Sequence, residues 1–354
     1  MKTQYFYPQR LLASFAALVA LSCAKTNFIP ADLGQEATSI TSPGKVVNST
    51  EIVASGNKEV DFLLVLDDSN SMLPELKKLS SRMATFVKFL EASQIDWQMC
   101  VTTTRSPNFG KYLEWKNYTP PAGVPAYVLK KGATGLNTIF PSTINSVSIG
   151  GGDSGDERAI KSSYVSFQNG GPCYRPGAAV SVIAISDEDE RSVGGDSKNL
   201  KSKEKPSSFL PLENEDLPMN LKARAQDSFG VEVRFTFNSI IVKPGDKQCE
   251  ATQDVDVSPC HPGVLYSMMS GLTEGGVGSI CDADYSSNLN TFKDKIVNSL
   301  NQLTLQCDPV KETLRVSVNQ NLVSDFKLEK RLLKFGKDLP EGTRIDLTYE
   351  CHEE

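Results

Sequence analysis

The stretch that constrains this chain most covers residues 60–72 and reads VDFLLVLDDSNSM. Its apolar run, from Phe62 to Leu66, is short and uninterrupted, as in a strand buried on both faces of a parallel sheet. The run stops in Asp67-Asp68-Ser69-Asn70-Ser71. Asp67, Ser69 and Ser71 form D-x-S-x-S. One carboxylate and two hydroxyls, all hard oxygens, suit a divalent cation of the Mg²⁺, Mn²⁺ or Ca²⁺ type. Ser69 or Ser71 also suits the N-cap of a helix beginning near Leu73-Pro74-Glu75, and capping is compatible with metal binding.

A second apolar run, AVSVIAIS over 179–186, also stops in acid, at Asp187-Glu188-Asp189-Glu190. An acidic run taken alone reads as a solvated loop. Two buried strands that each end in aspartate read differently, because open α/β sheets bind ligands at the carboxyl ends of their strands. Between and after these runs the spacing predicts helices over 73–93, 157–168, 217–229, 265–272 and 288–303. Strands are predicted over 95–104, 230–242 and 275–280, with an edge strand near 126–129. Residues 107–146 otherwise show few periodic features, and 243–262 reads as a loop. The alternation implies an α/β fold, a doubly wound, mostly parallel sheet flanked by helices. From about Cys307 the pattern changes to short strands over 313–318, 331–335 and 344–349, a small C-terminal β appendage.

The chain has 354 residues and a formal net charge of −6, with no basic stripe interleaved with aromatics, which argues against nucleic acid as a partner. His261 and His352 are the only two histidines, against His-centred acid–base chemistry, and both read as surface residues. At the N-terminus Lys2 and Arg10 give a basic start, followed by an apolar run over 11–21 that is too short for a membrane span. It ends in Ala20-Leu21-Ser22-Cys23, which resembles a bacterial lipobox. By that resemblance 1–22 is a lipoprotein signal peptide and Cys23 carries the lipid. Ala24 then suits the outer membrane of a host that has one. Residues 23–58, polar and poor in aromatics, read as a flexible tether. Seven further cysteines indicate an oxidising, extracytoplasmic compartment. Cys249 with Cys260 and Cys281 with Cys307 are candidate pairs, Cys100 reads as an inert core thiol, and the odd count leaves at least one free.

With those residues in hand, the chain over 59–305 resembles a von Willebrand factor A domain, and 306–354 is the β appendage. The resemblance implies a metal-ion-dependent adhesion site built from three loops. Asp67, Ser69 and Ser71 match the first. In IGGGDSGDERAI, over 149–160, Ser154 stands where the family has threonine. Asp187 matches the aspartate after the fourth strand, with Glu188 replacing the usual glycine. The implied ion is Mg²⁺, or Mn²⁺ or Ca²⁺ in its place, completed by an Asp or Glu carboxylate from a protein partner. Asp68, Asp153, Glu157 and Glu188 are candidates for an outer shell, although Glu157, Glu188, Asp189 and Glu190 also read as plain surface charges. A bacterial group of secreted or lipid-anchored A-domain proteins shares this pattern. The expectation is therefore a membrane-anchored, extracytoplasmic binding protein for adhesion or envelope assembly, not an enzyme. The alternatives are a metal-dependent hydrolase using Asp67, Asp187 and Asp189, and a scaffold whose metal site is degenerate.

Overall fold

The structure is a computed structural model, and it describes residues 28–30, 45–53, 58–105, 108–147, 156–230, 233–254, 259–337, 339–340 and 342–352. The segment read as a signal peptide, Cys23, Asp153 and Ser154 lie outside the described residues. In chain order the first elements are β1 (Phe28–Pro30), β2 (Val46–Val53), β3 (Glu59–Leu66), α1 (Leu73–Ala92), β4 (Asp96–Thr103) and β5 (Leu129–Lys130). They continue with α2 (Leu136–Ile144), α3 (Ala159–Asn169), β6 (Ala179–Ile185), α4 (Pro218–Phe229), β7 (Phe235–Ile241), α5 (Lys247–Gln253), α6 (Val264–Leu272), β8 (Val277–Ser279) and α7 (Ser286–Ser299). The last are β9 (Gln302–Thr304), β10 (Arg315–Val318), β11 (Asn321–Leu322), β12 (Phe326–Glu329), β13 (Leu332–Phe335) and β14 (Arg344–Glu350).

The main sheet has the order β5-β4-β3-β6-β7-β8, parallel except for the antiparallel edge strand β5. Residues Phe62 to Leu66 are fully buried, as an apolar strand covered on both faces must be. One face packs against α1, α2 and α7, through side chains such as Leu76, Phe140 and Phe292. The other packs against α3, α4 and α6, through Phe167, Leu221 and Tyr266. The α/β architecture is thus as the strand and helix alternation predicted. Along α1 the residues Leu76, Leu79, Met83, Phe86, Val87 and Leu90 are all buried, so the three-and-four spacing does mark the core face. In register, Leu66 pairs with both Thr103 of β4 and Ile185 of β6. The two acid-ended strands are therefore neighbours that finish level with each other.

Several expectations are corrected. The aperiodic region holds α2, whose interior Pro141 disguises it, and the expected loop over 243–262 holds α5. Cys100 is not a free thiol: it bonds to Cys173. The candidate pairs Cys249–Cys260 and Cys281–Cys307 do not form, and the bonds are Cys249–Cys281 and Cys307–Cys351. Cys260 is left free and buried. His261 is buried at 2% exposure, against a Glu204 carboxylate, rather than solvated.

The β appendage is larger than its C-terminal strands. Its sheets run β1-β2-β14-β10-β11 and β12-β13-β9, each antiparallel. β2 lies inside the segment read as a tether, yet it pairs along its length with β14, from Ile52 opposite Arg344 to Val46 opposite Glu350. β9 occupies the predicted end of the last helix, so the appendage takes its first C-terminal strand from residue 302 rather than 306. Val53, Leu305, Val316, Leu333, Ile345 and Tyr349 form its own apolar core. No helix among the described residues is long and apolar enough to cross a membrane.

Candidate metal centre

The order of the main sheet turns back on itself at β3 and β6: the chain leaves β3 toward β4 on one side and β6 toward β7 on the other. Such a switch point opens a crevice at the carboxyl ends of the strands. Asp67 and Asp187 both stand there, at 0% and 2% exposure.

Asp67 Oδ1 accepts the Ser69 backbone N–H at 2.8 Å, a local turn that presents the serines. Its Oδ2 accepts the Ser186 hydroxyl at 2.7 Å. The Ser69 and Ser71 hydroxyls lie 2.9 Å apart. Ser69 makes no side-chain capping bond, so the helix start does not consume it. The Asp187 carbonyl accepts the His261 N–H at 2.9 Å, while its Oδ1 is buried without a hydrogen-bond partner. Burial raises the pKa of Asp67, and raises that of Asp187 well above the carboxylate range, with the Asp67 charge adding to the latter.

Glu157 and Glu188 close the crevice and are buried, not surface charges. Burial, and after it the neighbouring Glu157 charge, raises the pKa of Glu188 well above the carboxylate range. Burial first, then the neighbouring Asp67, pushes Glu157 up to about 7. Ser192 Oγ donates to Glu157 Oε2 at 2.8 Å. Asp68 pairs with Arg105 at 2.8 Å, and burial outweighs that partner to push its pKa up to about 6.

The other two acids of the run hold helices in place. Asp189 accepts the backbone N–H groups of Val264 and Leu265, each at 3.0 Å, at the start of α6. Glu190 accepts those of Ile160 and Lys161 at 2.8 and 2.9 Å, at the start of α3. Both sit where the helix dipole favours negative charge. Arg191 and Ser192 follow with φ of 57° and 62°. Left-handed backbone at such residues costs about 1–2 kcal/mol each. It is offset by the Ser192 bond to Glu157 and by the pairing of Arg191 with Glu213 and Asp216. Arg158, next to Glu157, grips the fully buried Asp216 through Nε to Oδ1 at 2.8 Å and Nη2 to Oδ2 at 2.7 Å.

The donors suit a hard divalent cation. Octahedral Mg²⁺ at about 2.1 Å needs neighbouring oxygens about 3 Å apart, which the two serine hydroxyls provide, and the partnerless Asp187 oxygen is a further donor. Both Asp67 oxygens already accept hydrogen bonds. Among the described residues, no three His, Cys, Asp or Glu side chains gather as a metal site, so the fit rests on hydroxyls as much as carboxylates. The structure brings together Asp67, Ser69, Ser71, Asp187, Glu157 and Glu188. Ser186 was missed by the sequence reading. Its signal is register: it directly follows Ile185, the partner of Leu66, and so faces Asp67.

Fold and crevice define a class: an α/β domain with an acid-and-hydroxyl crevice at its switch point, carried on a β-sheet module. No family model and no curated protein matches the chain. Solved structures similar to it include a von Willebrand factor type A protein from Catenulispora acidiphila, at 13% identity and TM-score 0.33, covering 87% of this chain and 60% of that one. The pilus adhesin SpaC from Lactobacillus rhamnosus GG, in an open conformation, matches at 11% identity and TM-score 0.33, covering 86% and 40%. The human COPII-coat protein Sec24c matches at 9% identity and TM-score 0.39, covering 91% and 44%. The chain thus spans less than two thirds of each. At such low scores and identities, none of them assigns this chain a family or an activity.

Proposed function

We propose that this is an extracytoplasmic binding protein, not an enzyme, that holds a protein partner through a divalent metal at Asp67, Ser69, Ser71 and Asp187, with Ser154 as a further ligand. The carrying observation is the pair of hydroxyls 2.9 Å apart beside a buried aspartate oxygen that lacks a partner. Mg²⁺, or Mn²⁺ or Ca²⁺ in its place, would accept a carboxylate from the partner's Asp or Glu. This chain's residues hold the site rigidly: Ser186 ties Asp67 to the neighbouring strand, and Asp189 and Glu190 anchor the loop to two helices. The three disulfides support an oxidising compartment. The reading includes a lipid on Cys23, membrane attachment through it, and a role in adhesion or envelope assembly.

A second reading, a scaffold with a degenerate site, draws on the hydrogen bonds that occupy both Asp67 oxygens. Thermal unfolding separates the two. Metal binding to the folded state alone raises stability by about 2.7 kcal/mol at a hundredfold excess over Kd. Excess Mg²⁺ or Mn²⁺ should therefore raise the unfolding temperature of the wild type relative to chelator, and not that of Asp187→Ala. No shift in the wild type would favour the scaffold.

A further inference from the structure

We propose that Thr104 is a further hydroxyl of the metal crevice, and that it holds a water of the bound ion's hydration shell beside Asp67. The inference rests on the function proposed above and adds a residue to that site.

Side chains alternate between the two faces of a strand. On β3, Leu63 and Val65 pack into the core shared with α3, α4 and α6, so Asp67, next in that alternation, stands on the same face. On β6, Val182 and Ala184 do the same and lead to Ser186. On β4, Cys100 lies in that core and leads through Thr102 to Thr104. The ladders keep these ends level. The Asp67 N–H donates to the Ile185 carbonyl at 3.0 Å, and the Thr104 N–H to the Leu66 carbonyl at 3.1 Å. Leu66 pairs with Thr103 on one side and Ile185 on the other. Thr104 and Ser186 therefore flank Asp67 from opposite sides, each one strand spacing of about 4.8 Å away.

The two flanking hydroxyls differ in one respect. Ser186 donates to Asp67 Oδ2 at 2.7 Å. Thr104 is at 0% exposure, and its Oγ1 has no hydrogen-bond partner among the described residues. Both Asp67 oxygens are taken, by the Ser69 N–H and the Ser186 hydroxyl. The Arg158 N–H donates to the Thr104 carbonyl at 3.2 Å, which brings the buried Glu157 to the same strand end. A hydroxyl buried without a partner is costly, and ordered water is what satisfies such groups. Mg²⁺ sheds its waters reluctantly and keeps several of them in protein sites. Thr104 Oγ1 is an acceptor free to take one.

The test measures Mg²⁺ affinity by calorimetry on the full chain, as wild type, Thr104→Val, Thr104→Ser and Thr102→Val. Unfolding temperatures are taken in excess Mg²⁺ and in chelator. Valine keeps the shape of threonine and removes the hydroxyl, whereas serine keeps the hydroxyl. Thr102 Oγ1 is equally buried and equally without a partner, but it sits opposite Val65, one alternation below the crevice. Thr104→Val should bind Mg²⁺ about tenfold more weakly and lose part of the Mg²⁺-induced rise in unfolding temperature. Thr104→Ser and Thr102→Val should stay within about twofold of the wild type. Unweakened binding in Thr104→Val, or the same loss in Thr104→Ser or Thr102→Val, would overturn the inference and leave the metal reading standing. So would a Thr104→Val that fails to fold in chelator, because the hydroxyl would then serve the fold rather than the ion. No Mg²⁺ binding by the wild type would overturn both.

Discussion

Ser186 Oγ donates to Asp67 Oδ2 at 2.7 Å, joining the ends of the two acid-ended strands across the switch point of the sheet. The same hydroxyl accepts the Glu188 N–H at 3.1 Å, so one serine fixes the loop after β3 against the loop after β6. Removing it leaves a buried carboxylate oxygen without a donor. Ser186→Ala should lower unfolding stability at pH 7 by about 1–3 kcal/mol, measured in urea. An unchanged urea midpoint would show that the bond contributes nothing.

Stability should fall as pH rises through weakly acidic values. Asp61 is buried at the start of β3, and burial pushes its pKa up to about 6 from 3.8 despite Arg175 Nε at 2.7 Å. Between those two values the native state holds a proton that the unfolded chain has lost, so stability declines with increasing pH. The loss is complete once pH passes the folded value. Urea midpoints should be higher at pH 4.5 than at pH 7, and Asp61→Asn should flatten the difference. A midpoint that rises with pH and is indifferent to Asp61→Asn would contradict this.

Asp216 is fully buried between Arg158 and Arg191. Asp216→Asn deprives both guanidinium groups of a charged partner, which should cost about 3–5 kcal/mol. Replacing the partly exposed Glu215 next to it by Gln should change stability little, because surface charges contribute about 0–1 kcal/mol. Chemical denaturation of the two variants side by side checks the contrast.

Cys307–Cys351 closes a separation of 44 residues within the appendage. Chain-entropy reasoning assigns such a loop about 4 kcal/mol. Cys307→Ser/Cys351→Ser should therefore unfold the appendage at a lower temperature than the main domain, splitting the calorimetric transition. Cys260→Ser, at a free thiol, should leave it in one piece. A single unchanged transition in the double variant would contradict the assignment.

Much of the main domain was legible because its determinants are local. Phe62 to Leu66 and the run over 179–186 announce strands covered on both faces, and the spacing from Leu76 to Leu90 announces α1. What escaped depends on distant partners. β2 reads as polar linker because its partner, β14, lies about three hundred residues further along the chain. The acids Asp189 and Glu190 read as solvated because their partners are backbone N–H groups at the starts of α6 and α3, which carry no side-chain signature. Seven cysteines permit many pairings, and only the fold brings Cys100 to Cys173. In the site, D-x-S-x-S and Asp187 were readable as motif and strand end, whereas the Glu157–Glu188 pair needed the crevice to be closed around it.

The most direct test of the central claim is isothermal calorimetry of Mg²⁺ and Mn²⁺ into the wild type and into Asp67→Ala/Ser69→Ala. Saturable binding in the wild type that is absent from the variant is the predicted result. Equal binding by both proteins would place the metal elsewhere, and no binding by either would leave the crevice a structural junction of two strands.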